Sequence, residues 1–240
     1  MRIVLPLRPV SSSKRNPVTL FILLLFFLWS VPPAAAETTV GGTLSTDTTW
    51  TLAESPYIVT SNITVKGSDG ADGITTLTIE PGVAIHMNAY RQIIVGGSSG
   101  DPGALAAQGT EVDPILFTSN ATTPAAGDWY NITFNNTTDD AGTILEHCVV
   151  EYSGYSQGAI YLNNASPTVR NTQIRHSKSR GIYILTGEPV IDTCDLSDNQ
   201  GYDLYYSGTV GGTVSDCTLN SGIYLVATGT VDFSGNTINQ

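Results

Sequence analysis

The sequence predicts an all-β fold, a parallel solenoid wound in coils of about 20–24 residues. Three observations carry this: a phrase that repeats along the second half of the chain, alternation of apolar and polar residues inside each copy, and punctuation of the copies by Gly, Asn, Asp and Pro. The phrase opens as Gly158-Ala-Ile-Tyr-Leu162 and returns as Gly181-Ile-Tyr-Ile184, Gly201-Tyr-Asp-Leu204 and Gly222-Ile-Tyr-Leu225. A second phrase runs Thr143–Val150, Pro167–Ile174, Pro189–Leu196, Gly212–Leu219 and Phe233–Ile238. Its last apolar residues, Val150, Ile174, Leu196, Leu219 and Ile238, are separated by 24, 22, 23 and 19 residues. No long stretch shows the three-and-four apolar spacing of a helix. Within a phrase the period is two, so Ile160 and Leu162 face one way and Tyr161 the other.

The first 36 residues are expected to be a signal peptide. Arg2, Arg8, Lys14 and Arg15 precede an apolar run from Val18 to Val31, which ends in Pro32-Pro-Ala-Ala-Ala36. The run holds 14 residues, whereas a membrane-spanning helix needs about 20. The expected localisation is therefore secreted or cell surface, with no membrane association after cleavage. Residues 37–240 are read as the solenoid, with opening coils over 37–128 and regular repeats over 129–240. That part carries six Lys or Arg against all 21 Asp and Glu, a formal charge of −15. Such a field excludes nucleic acid as a natural partner. Cys148, Cys194 and Cys217 form neither a C-x-x-C pair nor a Cys/His cluster, so no zinc site is expected.

The spacing apolar-x-x-[Cys/Asn/Thr]-x-apolar occurs at 145–150, 169–174, 191–196, 214–219 and 233–238. It resembles the coil motif of the right-handed parallel β-helix repeat families, the pectate lyase and pectin lyase-like group. Leu77–Ile85, Gly103–Gly109 and Pro114–Ser119 are similar to the opening coils of such proteins. The resemblance implies a single right-handed parallel β-helix solenoid, and it covers nearly all of residues 37–240. It specifies no activity, because these coils host lyases, hydrolases, epimerases and scaffolds alike.

Stacking equal positions puts Cys148, Thr172, Cys194, Cys217 and Asn236 in one inward column, where cysteine acts as a small buried hydrophobe. Outward, Tyr161, Tyr183, Asp203 and Tyr224 are expected to share one row. Flat rings along a rigid surface suit a polysaccharide or surface glycan, with the carboxylate of Asp203 accepting hydroxyls. The same tyrosines would also stabilise the sheet simply by pairing. Glu146, Arg170 and Asp192 alternate in charge on successive coils, and Glu151 stands over Arg175. An alternative site for an acidic sugar is Arg175, Lys178 and Asp198, in the basic cluster completed by Arg180. His176 aligns with Tyr152 and Asp198 without a nucleophile in step, which reads as a turn.

No cofactor is expected. The loop Asp69-Gly-Ala-Asp72-Gly73 offers carboxylates to Ca²⁺ but lacks the remaining ligands of an EF-hand loop, and reads as a turn. The polygalacturonase-like signatures Asn-Thr-Asp, Asp-Asp, Gly-His-Gly and Arg-Ile-Lys do not occur together, and no in-register constellation of Arg/Lys with several Asp emerges. No catalytic residues are assigned. The chain ends in mid-repeat at Gln240, which reads either as an uncapped C-terminal coil open to docking of a partner or as a shortened relative of longer proteins. The sequence favours a non-enzymatic carbohydrate-binding module. A polysaccharide lyase or glycoside hydrolase, and a cell-surface spacer or adhesin segment, are the alternatives.

Overall fold

The computed structural model describes residues 37–69, 71–97 and 99–239. The signal peptide expected over residues 1–36 lies outside the described residues. Strands of two to nine residues follow one another along the chain, interrupted by one short 3-10 turn at Leu52–Glu54. Every strand pairing is parallel, and each strand pairs with the equivalent strand of the next coil rather than with its neighbour in sequence. That is how a chain with period-two strands and abrupt turns buries its apolar side: it winds.

The strands line three faces. The first holds Ile93–Val95, Ile132–Phe134, Gly158–Asn163, Arg180–Thr186, Leu204–Val210 and Ile223–Gly229. The second holds eight strands, from Thr48–Trp50 and Thr75–Ile79 to Thr213–Ser215 and Asp232–Ser234. The third holds Ala84–Met87, Ile115–Ser119, Cys148–Glu151, Gln173–Arg175, Asp195–Ser197, Thr218–Leu219 and Thr237–Ile238. The long strand Tyr57–Val65 joins two of them, since Tyr57–Val59 pairs on the third face and Ile63–Val65 on the first.

The expected register is found. Val150, Ile174, Leu196, Leu219 and Ile238 are in-register partners down the third face. Upstream the same column continues through Ile85 and Phe117 at wider intervals, because loops lengthen those coils. Inward residues of all three faces are sealed: Ile160, Ile182, Val169, Ile191, Ile174 and Leu196 are fully buried. Burying each such side chain is worth up to about 1.5–3 kcal/mol. The outward ion pairs Arg170–Glu146 and Arg175–Glu151, each 2.9 Å, match the expected ladders. Half-exposed pairs contribute about 0–1 kcal/mol, so the core decides the stability. The charge ladder stops there, since Asp192 accepts from Ser215 and Thr193 instead of pairing with Arg170.

The turn between the second and third faces has a fixed geometry. His147, Asn171, Thr193 and Asp216 all sit at φ between 47° and 51°, with Gly235 next at 66°. A side chain in this left-handed region costs about 1–2 kcal/mol. The kink turns the following N–H along the axis, where no strand carbonyl meets it. A side chain on the next coil takes that role: Cys148 N–H donates to Thr172 Oγ1 at 3.3 Å, Cys194 N–H to Cys217 Sγ at 3.4 Å, and Cys217 N–H to Asn236 Oδ1 at 2.9 Å. This explains why the regular coils place Cys, Thr or Asn here, whereas upstream Ile115 holds the position in register with Cys148 and its own N–H donates to the His147 carbonyl. Burial pushes the Cys148 thiol up to about 12, and the hydrogen bond to Cys217 followed by burial raises that of Cys194, so neither serves as a nucleophile. In the last described coil the inward residues Leu225, Phe233 and Ile238 are 41–55% exposed.

Cys217→Ala is expected to leave the Cys194 N–H without an acceptor and to cost about 1–3 kcal/mol in urea or thermal unfolding. Cys217→Thr, which repeats the arrangement seen at Thr172, should fall within about 1 kcal/mol of the unaltered chain.

Candidate functional site: the tyrosine row of the first face

Face-one strands point every second side chain into the core, so their alternate residues form outward rows along the axis. Ile160 and Leu162 are buried while Tyr161 between them is half exposed. Tyr161 pairs in register with Tyr183, Tyr183 with Tyr205, and Tyr205 with Tyr224. Ring centroids along the row lie 5.1, 4.9 and 4.8 Å apart. Tyr183 meets Tyr205 edge-on, Tyr224 stacks on Tyr205 at 14°, and Tyr202 joins from the side at 5.0 Å from Tyr224. The Tyr183 hydroxyl lies 3.1 Å from Ser207 Oγ. Burial raises the pKa of Tyr161, and the neighbouring Tyr183 phenol adds to the shift.

Asp203 does not stand in this row. Ile182 pairs with Leu204, so Tyr205 is the member from that coil and Asp203 falls two residues earlier, beside Gly181. The sequence alignment started from Gly201, but the coil spends Gly201 and Tyr202 on the turn before its strand begins. The alternation Leu204-Tyr-Tyr206, matched against Ile182-Tyr-Ile184, carries the correct register. Asp203 is fully buried and accepts from Asn199 Nδ2 at 2.9 Å and from the Ser221 N–H. Asn199 in turn accepts the Ser177 N–H at 3.1 Å and donates to the Ile174 carbonyl at 3.0 Å. The carboxylate ties three coils together from inside, out of reach of a ligand.

Arg180 stands beside the row, where the sequence pattern did not place it. Its guanidinium carbon lies 4.2 Å from the Tyr205 centroid and 5.1 Å from that of Tyr183, and Nη1 donates to the Gln157 carbonyl at 3.1 Å. Among the described residues it has no carboxylate partner, so a full positive charge stands beside the rings.

Arg175, Lys178 and Asp198 form no hydrogen bond or ion pair with one another among the described residues. Arg175 is held by Glu151, which also accepts from Thr118 Oγ1 at 2.9 Å. Lys178 reaches over the ring of Tyr155 at 4.7 Å. Asp198 occupies a turn column with Tyr152 and His176, at φ of 54–61°, and His176 stacks on Tyr152 at 5.2 Å. In the acidic loop, Asp69 accepts the Asp47 N–H and Asp72 the Ile74 N–H. Among the described residues no three His, Cys, Asp or Glu side chains converge on an ion position. A groove of about 460 Å³ lies at the opposite turn, lined by residues including Glu111, His147, Gln173 and Asp195, with no Tyr, Trp or Phe among its described lining residues.

Three faces of parallel strands with in-register columns define a β-helix protein. The family model described as the right handed beta helix region matches residues 103–240, more than half of the chain, and the chain belongs to that family. No curated protein and no solved structure matched it.

The pKa of Asp203 is raised above 3.8, first by burial and against the pull of its hydrogen bonds from Asn199 and Ser221. The folded state then binds this proton more tightly than the unfolded state. Its contribution to stability therefore falls as the pH rises from 3.8 towards the raised folded value. Asp203→Asn removes that titration, so the melting temperature of the variant relative to the unaltered chain should climb as the pH is raised through this range.

Proposed function

We propose that this chain is an exported β-helix module that binds carbohydrate along its first face and leaves it uncleaved. The observation that carries the reading is the unbroken row Tyr161, Tyr183, Tyr205 and Tyr224, with Tyr202 and the unpaired Arg180 beside it. Phenol hydroxyls and ring edges repeat at the spacing of the coils, close to the repeat of an extended sugar chain. Arg180 supplies charged donors directly beside the rings. Export is supported by the basic, apolar and small-residue succession of residues 1–36.

The competing reading is cleavage of an acidic polysaccharide at Arg175, Lys178 and Asp198. It has less behind it, since Glu151 already neutralises Arg175 and no acid and base face each other there. A spacer would need neither set of residues.

A glycan array with the purified protein tests the reading. Saturable binding without shortened or unsaturated product is the expected result, with Tyr183→Ala/Tyr205→Ala weakening it at least tenfold. Product formation would make the chain an enzyme, and silence on every neutral and acidic glycan would leave the spacer.

A further inference from the structure

The row on the first face has a weakness as a stacking platform. Tyr224 lies flat on Tyr205, the guanidinium of Arg180 covers Tyr205 as well, and Tyr183 directs an edge contact to the same ring. These rings satisfy each other, so the row offers hydroxyls and edges more than open faces. A sugar whose apolar C–H face must be covered needs a ring with a free face.

More exposed rings stand at the neighbouring edge, where the third face turns into the first. Tyr90, Tyr130 and Tyr155 come from three successive coils and meet in one cluster. The centroid of Tyr155 is 5.1 Å from Tyr90 and 5.3 Å from Tyr130, both at 85°, and Tyr90 lies 6.1 Å from Tyr130. Tyr90 is 53% exposed and Tyr155 41%. Lys178 reaches over one of them, its ammonium 4.7 Å from the Tyr155 centroid. Its stem runs over Gly127, where an added Cβ would fall 2.5 Å from Lys178 Cδ. The glycine therefore holds open the path by which the lysine reaches the rings.

The backbone fixes where the exposed Tyr90 ring stands. Tyr90 is held at φ 61°, a conformation that disfavours a bulky side chain. Its backbone is fixed there by Tyr90 N–H to the Asp128 carbonyl at 2.8 Å and Arg91 N–H to the Asn88 carbonyl at 3.1 Å. Asn or Gly would occupy that position with less strain. The same left-handed turn recurs at Tyr152, His176 and Asp198, so the fold itself projects the half-exposed Tyr90 ring outward at this edge.

We infer that Tyr90, Tyr130, Tyr155 and Lys178 form a separate sugar-stacking subsite. It takes a pyranose that presents a C–H face, with the Lys178 ammonium donating to that sugar's ring or exocyclic oxygens. The inference rests on the carbohydrate-binding reading and extends it: the glycan crosses the edge from this cluster to the first face, through Lys178 and Arg180. The subsite takes the apolar face of one sugar unit, and the first-face row binds the hydroxyls of the next.

The test titrates an array-selected oligosaccharide into the full protein and four variants, among them Tyr183→Ala/Tyr205→Ala. Tyr90→Asn is expected to keep or raise the melting temperature, because it relieves the left-handed backbone, while weakening binding at least fivefold. Tyr155→Ala should weaken binding at least tenfold. Tyr155→Trp should bind at least as tightly as the unaltered chain and report the ligand by a shift in its fluorescence. If Tyr90→Asn and Tyr155→Ala bind normally while Tyr183→Ala/Tyr205→Ala does not, the subsite is refuted and carbohydrate binding by the first face stands. If the unaltered protein binds no oligosaccharide, the carbohydrate reading itself falls and the subsite with it.

Discussion

Parallel in-register stacking of one coil on the next is the constraint on which everything else in this protein depends. Strands hydrogen-bond only to equivalent strands about 4.8 Å away along the axis, so a residue's nearest non-sequential neighbour is its own counterpart. Any side chain tolerated at one position is therefore tested against copies of its kind. Inside, this rewards aliphatic columns such as Val150, Ile174, Leu196 and Leu219. At the turn it demands a left-handed residue followed by a small acceptor, which Thr172, Cys217 and Asn236 supply. The polar column is a repair to the backbone, made from side chains short enough to stay inside.

The same constraint builds the outer surface. An outward tyrosine repeated once per coil becomes a row whether or not a ligand exists, because each ring finds the next within about 5 Å. Aromatic pairs of this kind are worth about 0.5–1.5 kcal/mol each, so stability alone accounts for part of the row. What sheet pairing leaves unexplained lies at the margin: an arginine without a carboxylate over two of the rings, and an exposed tyrosine cluster one edge away. Both point outward.

Asp203 shows how a single turn length changes the chemistry assigned to a residue. In its sequence context it is a carboxylate beside two tyrosines, the usual company of a sugar hydroxyl. In the fold it is sealed beneath the sheet, bridging Asn199 and Ser221. A carboxylate there stays satisfied only because two N–H donors converge on it from different coils, and those donors are far apart in the chain.

Where the coils are regular, the sequence by itself determined the outcome. The 19–24-residue steps are the ladder register, the alternation Ile160-Tyr-Leu162 is the choice of face, and the Cys/Thr/Asn position is an inward column. A period can be read because each copy is compared with its own kind. Only the tertiary structure decided how many residues each turn takes up, and hence that Tyr205 rather than Asp203 joins the row. It also decided which irregular loops meet: Tyr90, Tyr130 and Tyr155 sit in coils of unequal length, with no shared phrase to align them. Distance along a chain predicts distance in space only when every coil is the same length, and the opening coils of this protein are not.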